Sequence, residues 1–525
     1  SGNTSSDENC LYLENRPLAA AFGSQFETAW AAIPSQWLTA NPGAESADSP
    51  GSLSDLIDND HDDLTDEGAA ASINTVQSGA GAMNVYFLRQ AVASGAAPGN
   101  LANYNVNLEN KLVERLNAAS STIDVATYEL TLPAVVDALA AQAAAGVRVR
   151  FIADGKEELD DQGQIDSSFE KARLYYERLI RAGVALFADS PVFAVEDAAK
   201  RTAAGLPASP ADRFTYVTIT VGSSSKSGYL LGDAEYKTST PTYYSRSDQM
   251  HNKFMVIDGT WVVTGSWNFT INDTYGSDAN RAAGILSGNT NHMIEMNSPE
   301  LADAYRIEFE EMWGASGAAP NPTASNFHSR KTDNTPHVFT VGGRTVKLYF
   351  SPGDDAMPNM TQTISGEAQL SAHFSVFSWS DQGLVDALKV LYEGSALDNQ
   401  GTLTGFKVQG VFEGTFWNQY WSASIDMTGR QVAGYESYST RWANPAPVFR
   451  DREDKFLHHK YMILDVNSAS DPFVVTGSTN WSANGNSVND ENMLMIYDAP
   501  VANQFYQEFA ARYFMAGGIV DFLKN

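Results

Sequence analysis

HNKFMVIDGTWVVTGSWNFT, residues 251–270, sets His251, Lys253 and Asp258 ahead of a Gly-Ser-x-Asn turn, with apolar runs between them. HHKYMILDVNSASDPFVVTGSTNWS, residues 458–482, repeats the order with His458, Lys460, Asp465, Gly477, Ser478 and Asn480. A histidine and a lysine two apart on an extended chain leave the same face. FMVI and WVVTG are β-rich and are expected to pair as neighbouring strands, returning the Gly-Ser-x-Asn turn beside the histidine. Gly265 is expected to let the backbone approach a bound ligand closely. The second copy has the longer turn, with eleven residues between Asp465 and Gly477 against six between Asp258 and Gly265.

Working outward, the flanks repeat as well. NVYFLRQ (84–90) is echoed by KLYFSPG (347–353), and IDVATYELTLPAVVDAL (123–139) by HFSVFSWSDQGLVDAL (373–388). GVRVRFIADG (146–155) is echoed by GFKVQGVFEG (405–414). After each motif comes a segment opening at a proline, SPELADAYRIEFEEMW (298–313) and APVANQFYQEFAARYF (499–514), with Glu308-Phe309 and Glu508-Phe509 at matching helical positions. Strands alternating with helices in two copies predict a duplicated α/β architecture, each half a mixed sheet flanked by helices. The expected division is an appendage over 1–78, a first lobe over 79–315, a linker over 316–340 and a second lobe over 341–525. Within the first lobe, the Ser-, Thr- and Tyr-rich stretch from about Lys200 to Asp248 reads as an insertion of hairpins or a long loop.

In the appendage, Leu18, Phe22, Phe26, Trp30 and Ile33 recur at helical spacing and predict a docking helix. Asp58, Asp60, Asp62 and Asp66 then fall at positions 1, 3, 5 and 9 of a calcium-loop pattern. Asp63 replaces the usual glycine and Ala69 the terminal glutamate, so the stretch reads either as a structural calcium loop or as a solvated acidic linker. Trp417, Tyr420 and Trp421 recur at helical spacing and read as a packed face.

Composition narrows the function. With 43% hydrophobic and 18% charged residues the chain is of globular type, and no apolar run is long enough to predict a membrane span. Cys10 is the single cysteine, which excludes an intrachain disulfide and a cysteine-based metal site. A net charge of −29 repels polyanions at long range and counts against nucleic acid as a partner, though not against a zwitterionic lipid. The sequence opens at SGNTSS without an initiator methionine or a leader, so any export signal is expected to have been removed or never to have existed.

An imidazole, an ammonium and a carboxamide converging on one point suit a tetrahedral phosphodiester. Lys253, Lys460, Asn268 and Asn480 are expected to donate to its non-bridging oxygens. Two histidines from two copies would flank one phosphorus, one attacking it and one protonating the leaving alcohol. Each needs its other ring nitrogen held by a carboxylate, and Glu295 and Glu491, on strands after the two motifs, are the candidates. Asp258 and Asp465 are expected to act structurally, fixing the turn or pairing with a lysine, with Ser266 and Ser478 in support. Trp267 and Trp481, inside the turns, are expected to flank the substrate and to meet a choline head group through cation–π contact. His459 is expected to face the opposite side of its strand.

Two His-x-Lys-x4-Asp motifs with trailing Gly-Ser-x-Asn resemble the phospholipase D superfamily, over the chain from about Asn84 onward. The resemblance implies a pseudo-twofold bilobal α/β fold with the active site between the lobes, a phosphohistidine intermediate and no catalytic metal. By motif, His251 would be the nucleophile and His458 the general acid. It further implies a secreted bacterial phospholipase D, expected as a monomer, acting on phospholipid at a membrane or micelle surface. A nuclease on the same two-histidine frame is the alternative.

Overall fold

A computed structural model describes residues 72–74, 76–155, 169–221, 224–235, 248–394, 405–435, 440–468 and 470–520. The expected docking helix, the acidic stretch Asp58, Asp60, Asp62 and Asp66, and residues 236–247 of the insertion lie outside these.

Two eight-stranded sheets organise the chain from Ala70 onward. In the first, the order across the sheet is Met83–Phe87, His292–Asn297, Trp261–Gly265, Lys253–Ile257, Thr122–Thr127, Arg148–Ala153, Ala185–Ala188 and Asp233–Ala234. In the second it is Val338–Val341, Arg344–Ser351, Glu491–Tyr497, Phe473–Gly477, Lys460–Leu464, Ser371–Val376, Lys407–Phe412 and Val448–Arg450. The sheets match strand for strand and direction for direction, apart from one extra strand at opposite edges. The fold is a duplicated, bilobal α/β fold of two mixed sheets flanked by helices.

Each motif is a hairpin at the centre of its sheet. Met255 pairs with Val263 and Met462 with Val475, as the FMVI and WVVTG runs predict. Both central strands are buried along their length because helices cover the sheet faces, which explains why they read as continuous apolar runs rather than alternating ones. Val125, Phe151, Met255 and Val263 sit in one apolar core, and Phe374, Val408, Met462 and Val475 in its counterpart.

The long helices after the motifs start where their sequences say. Ser298 caps Pro299–Trp313 by accepting from the Leu301 N–H, and Asp498 caps Ala499–Met515 by accepting from the Val501 N–H. The insertion contributes a hairpin, Tyr216–Val221 with Ser224–Leu231. Residues 417–421 are not helical; they form turns that leave Tyr420 and Trp421 on the surface, each 37% exposed. Trp417 packs against the second core, but the three rings share no helical face, because the strand ending at Phe412 gives way to turns rather than a helix.

The two lobes meet through equivalent residues. Thr264 donates to Asn492 at 2.9 Å, and its counterpart Thr476 contacts His292 Nε2 at 2.6 Å. Short parallel bridges join Met250 to Asp490 and Thr290 to Leu457, so the residue before each motif histidine pairs with a strand entry of the other lobe. Among the described residues no helix is long and apolar enough to cross a membrane.

Candidate active site

The hairpins bring His251 and His458 to one cavity of about 590 Å³ at the junction of the lobes. Its wall also includes Asn268, Asn480, Asp273, Tyr128, Glu129, Phe377, Asp454, Lys455 and Phe456. Backbone just before each histidine is fixed by a matched pair of acids. Asp154 accepts from the Met250 N–H and Glu413 from the Leu457 N–H, both at 2.8 Å. These acids close the two echoed segments FIADG and GVFEG, a signal present in the sequence repeat.

His251 Nδ1 lies 2.7 Å from Glu491 Oε1, a carboxylate of the other lobe. With Nδ1 committed there, the tautomer places the ring's lone pair on Nε2. Burial pushes Glu491 up to about 8 against the opposing pull of Lys253. Tyr128 packs its edge on the His251 ring at 4.9 Å, and Phe377 does the same to His458 at 4.8 Å.

Glu295 does not hold the second histidine. It faces the outer strand of its own lobe, where it accepts from Asn84 and Tyr86 and pairs with Arg115. The residue matching Glu491 in sheet register is Asn291, two before Met293 as Glu491 is two before Met493, and its Oδ1 lies 3.0 Å from His458 Nδ1. The misplacement is one of register: four residues along a strand keep a side chain on the same face but move it roughly 13 Å along the strand, away from the junction.

Lys253 and Lys460 each donate to the carbonyl of the histidine two residues earlier, at 2.9 Å. Neither lines the cavity wall, and both are buried. Burial lowers Lys253 to about 8 and brings Lys460 well below the ordinary lysine value, the latter helped by repulsion from Lys253. Two lowered ammonium groups close together suit a site that receives an anion, whose charge raises both again. The side-chain oxygens of Asn268 and Asn480 are buried without a hydrogen-bond partner among the described residues.

Asp258 and Asp465 are turn residues. Each has a positive φ, 53° and 54°. Asp258 accepts from the Ser120, Ser121 and Thr122 N–H groups, and Asp465 from those of Gln369, Leu370 and Ser371. Among the described residues neither pairs with a lysine. Ser266 and Ser478 accept from the His292 and Asn492 N–H groups, tying each turn to the next strand.

Gly265 and Gly477 have φ of 148° and 135°, and a Cβ at either would lie within 2.3 Å of the facing carbonyl of His292 or Asn492. The close approach is to a neighbouring strand and not to a ligand, contrary to the expectation for Gly265. Trp267 and Trp481 also depart from expectation. Both are 1% exposed inside the lobe cores, where Trp267 donates to Thr274 and Trp481 packs edge-on against Trp379. Large rings adjacent to a strand end gain more from core burial than from a wet cavity wall. His459 points away from the cavity, to Glu508 and His292.

The chain matches the family described as "Cardiolipin synthase, PLD-like domain" over residues 112–197, 220–313 and 362–513, more than half its length. It is 27% identical over 142 residues to the mitochondrial cardiolipin hydrolase of Xenopus tropicalis, a match spanning 27% of this chain and 54%, about half, of that protein. Among solved structures, phosphatidylserine synthase of Haemophilus influenzae aligns over 81% of this chain and 86% of its own, at 10% identity and a TM-score of 0.42. The phospholipase D family member Nuc of Salmonella typhimurium aligns over 44% of this chain and 93% of its own, at 17% identity and a TM-score of 0.23. The chain belongs to the phospholipase D superfamily.

Proposed function

We propose that this enzyme is a phospholipase D that hydrolyses glycerophospholipids, phosphatidylcholine foremost, to phosphatidic acid and the head-group alcohol, with transfer to other alcohols as a companion reaction. The observation that carries the reading is two histidines on one cavity, each with Nδ1 held by a residue of the opposite lobe. His251 Nε2 attacks phosphorus and the bond to the head-group oxygen breaks, that oxygen taking a proton from His458. Water or an alcohol then gives a proton to His458 and attacks the phosphohistidine, breaking the nitrogen–phosphorus bond. Lys253, Lys460, Asn268 and Asn480 offset the charge on the non-bridging oxygens.

A lipid substrate is supported by the rim. Phe377 on the cavity wall contacts Phe456 and Phe416, and Phe416 contacts Trp421, so apolar rings run from His458 to the surface. Phe456 is 49% exposed. Glu129 and Asp454 on the same wall favour a cationic head group over a polyanion. The relative named a cardiolipin hydrolase supports the same substrate class. We place the enzyme outside the cell, as a monomer.

Phosphatidylcholine dispersions with ethanol, incubated with and without chelator, test the reading. Phosphatidylethanol in both is the expected product, the phosphatidyl group passing from the lipid to ethanol. If neither phosphatidic acid nor phosphatidylethanol forms, the lipid assignment is wrong.

A further inference from the structure

The two histidines are not held alike. Glu491 gives His251 a carboxylate, whereas Asn291, its counterpart, gives His458 only an amide oxygen. The amide orientation is fixed, because Asn291 Nδ2 donates to the Asn289 carbonyl and its Oδ1 accepts from Ser266. A neutral amide fixes the Nδ1–H tautomer but stabilises an imidazolium less than a carboxylate does. His458 is the histidine that must carry an extra proton on Nε2 in the proposed reaction.

Asp273 stands beside it. Its Oδ2 lies 3.7 Å from His458 Nδ1, its side chain is 4% exposed, and it lines the cavity. It is oriented by the Asn268 N–H at 2.9 Å and by the Asn289 amide, the residue whose carbonyl also orients Asn291. In the second lobe the same turn carries Gly485, where a Cβ would fall 2.0 Å from the Asn480 carbonyl. Each histidine therefore has one carboxylate, reached by different routes: from the strand for His251, from the turn after Gly-Ser-x-Asn for His458.

We propose that Asp273 is the positioning residue for His458, supplying the negative charge that Asn291 lacks and so allowing His458 to hold and deliver the leaving-group proton. This rests on the phosphodiesterase reading above. The groups facing His458 are Asp273, which favours its charged form, and Lys460, Lys253 and His459, which oppose it, with Glu129, Asp454 and Lys455 further out on the wall. Burial raises Asp273, while the Asn268 N–H, Asn289 and the two lysines pull it down. The negative charge of a bound phosphate would offset the lysines' repulsion of His458.

Asp273→Asn keeps an acceptor for Asn268 and removes the charge. With phosphatidylcholine, whose alkoxide must be protonated, kcat is expected to fall roughly tenfold or more, within the range of general-acid contributions. With phosphatidyl-p-nitrophenol, whose phenolate leaves unaided, the loss should be under about threefold. Asn291→Asp added to Asp273→Asn should restore the alkyl reaction. Equal losses on both substrates, or no rescue, would overturn the proposal. NMR titration of the His458 imidazole, with and without inorganic phosphate, gives a readout independent of turnover: Asp273→Asn should lower its midpoint, and an unchanged midpoint refutes the role. If the wild type turns over neither lipid, the functional reading fails while the titration still decides Asp273.

Discussion

Asp258 illustrates how a motif residue serves the chemistry without touching it. Its carboxylate is buried enough to be pushed up, yet the Thr122 and Ser121 donors outweigh this and bring it down to about 2. A depressed carboxylate stabilises the fold above its ordinary value of about 3.9, and that contribution is lost as pH falls toward 2. Asp258→Ala should cost about 1–3 kcal/mol at pH 7, the usual price of orphaned backbone donors, with the deficit shrinking below pH 4 in thermal melts. Gly477→Ala should be as harmful or worse, because the new Cβ meets the Asn492 carbonyl at 2.2 Å and φ is 135°. The lysines give a third expectation. Lys253 sits at about 8 in the empty site, and a bound anion raises it. Binding of inorganic phosphate at pH 8 should therefore take up protons, measured as a buffer-dependent enthalpy in calorimetry; proton release would contradict the placement of the lysines. Much of this was legible beforehand, because histidine, lysine, aspartate and asparagine recur at fixed spacing in both copies. Asn291 and Asp273 were not. Asn291 lies 23 residues beyond Asn268 whereas Glu491 lies 11 beyond Asn480, so matching by distance along the chain misses it, and an amide does not stand out as a partner for histidine.

At the scale of elements, the segment joining the lobes is more than a spacer. His328, with φ of 58°, lies between Asp189 of the first lobe and Asp490 of the second, at 3.2 Å and 3.0 Å. Lys331 adds contacts to Glu308, Asp490 and the Ser351 carbonyl. Burial alone would lower His328, but the Asp490 and Asp189 carboxylates prevail and hold it well above the ordinary histidine value. A raised histidine contributes its full stabilisation below the unfolded value of about 6.5 and loses it as pH rises through the folded one. His328→Gln should lower the melting temperature at pH 6 and narrow the gap to wild type at strongly alkaline pH. Because Asp490 precedes Glu491, the same variant should reduce activity more than a surface histidine change does. Composition marked this stretch as a linker through its Pro, Asn, Ser and Gly content. The buried anchor at His328 was invisible, since its partners lie 139 residues before and 162 residues after it. Strands and long helices were readable because burial on both sheet faces and Ser or Asp caps leave local signatures, whereas the turns at 417–421 carried helical spacing without forming a helix.

For the whole molecule, the cross-lobe holding of both histidines means that neither half contains a finished site. The first half expressed alone should lack activity even if folded, since Glu491 is absent, and Glu491→Gln in the intact chain should slow formation of the phosphohistidine by roughly tenfold or more in rapid-quench experiments. A matched loss in every later step instead would argue against its pairing with the attacking histidine.

The bridges that tie Met250 to Asp490 and Thr290 to Leu457 have one further consequence. Were two identical copies to associate in the same way, any substitution at one supporting position would appear at both, and the two imidazoles would be compelled to share one character. Tethering the copies in a single polypeptide removes that symmetry constraint. Glutamate can then stand opposite asparagine, and aspartate opposite glycine, so that in the proposed reaction the division of labour between donor and attacker is written into the primary sequence rather than left to whichever ring the substrate meets first.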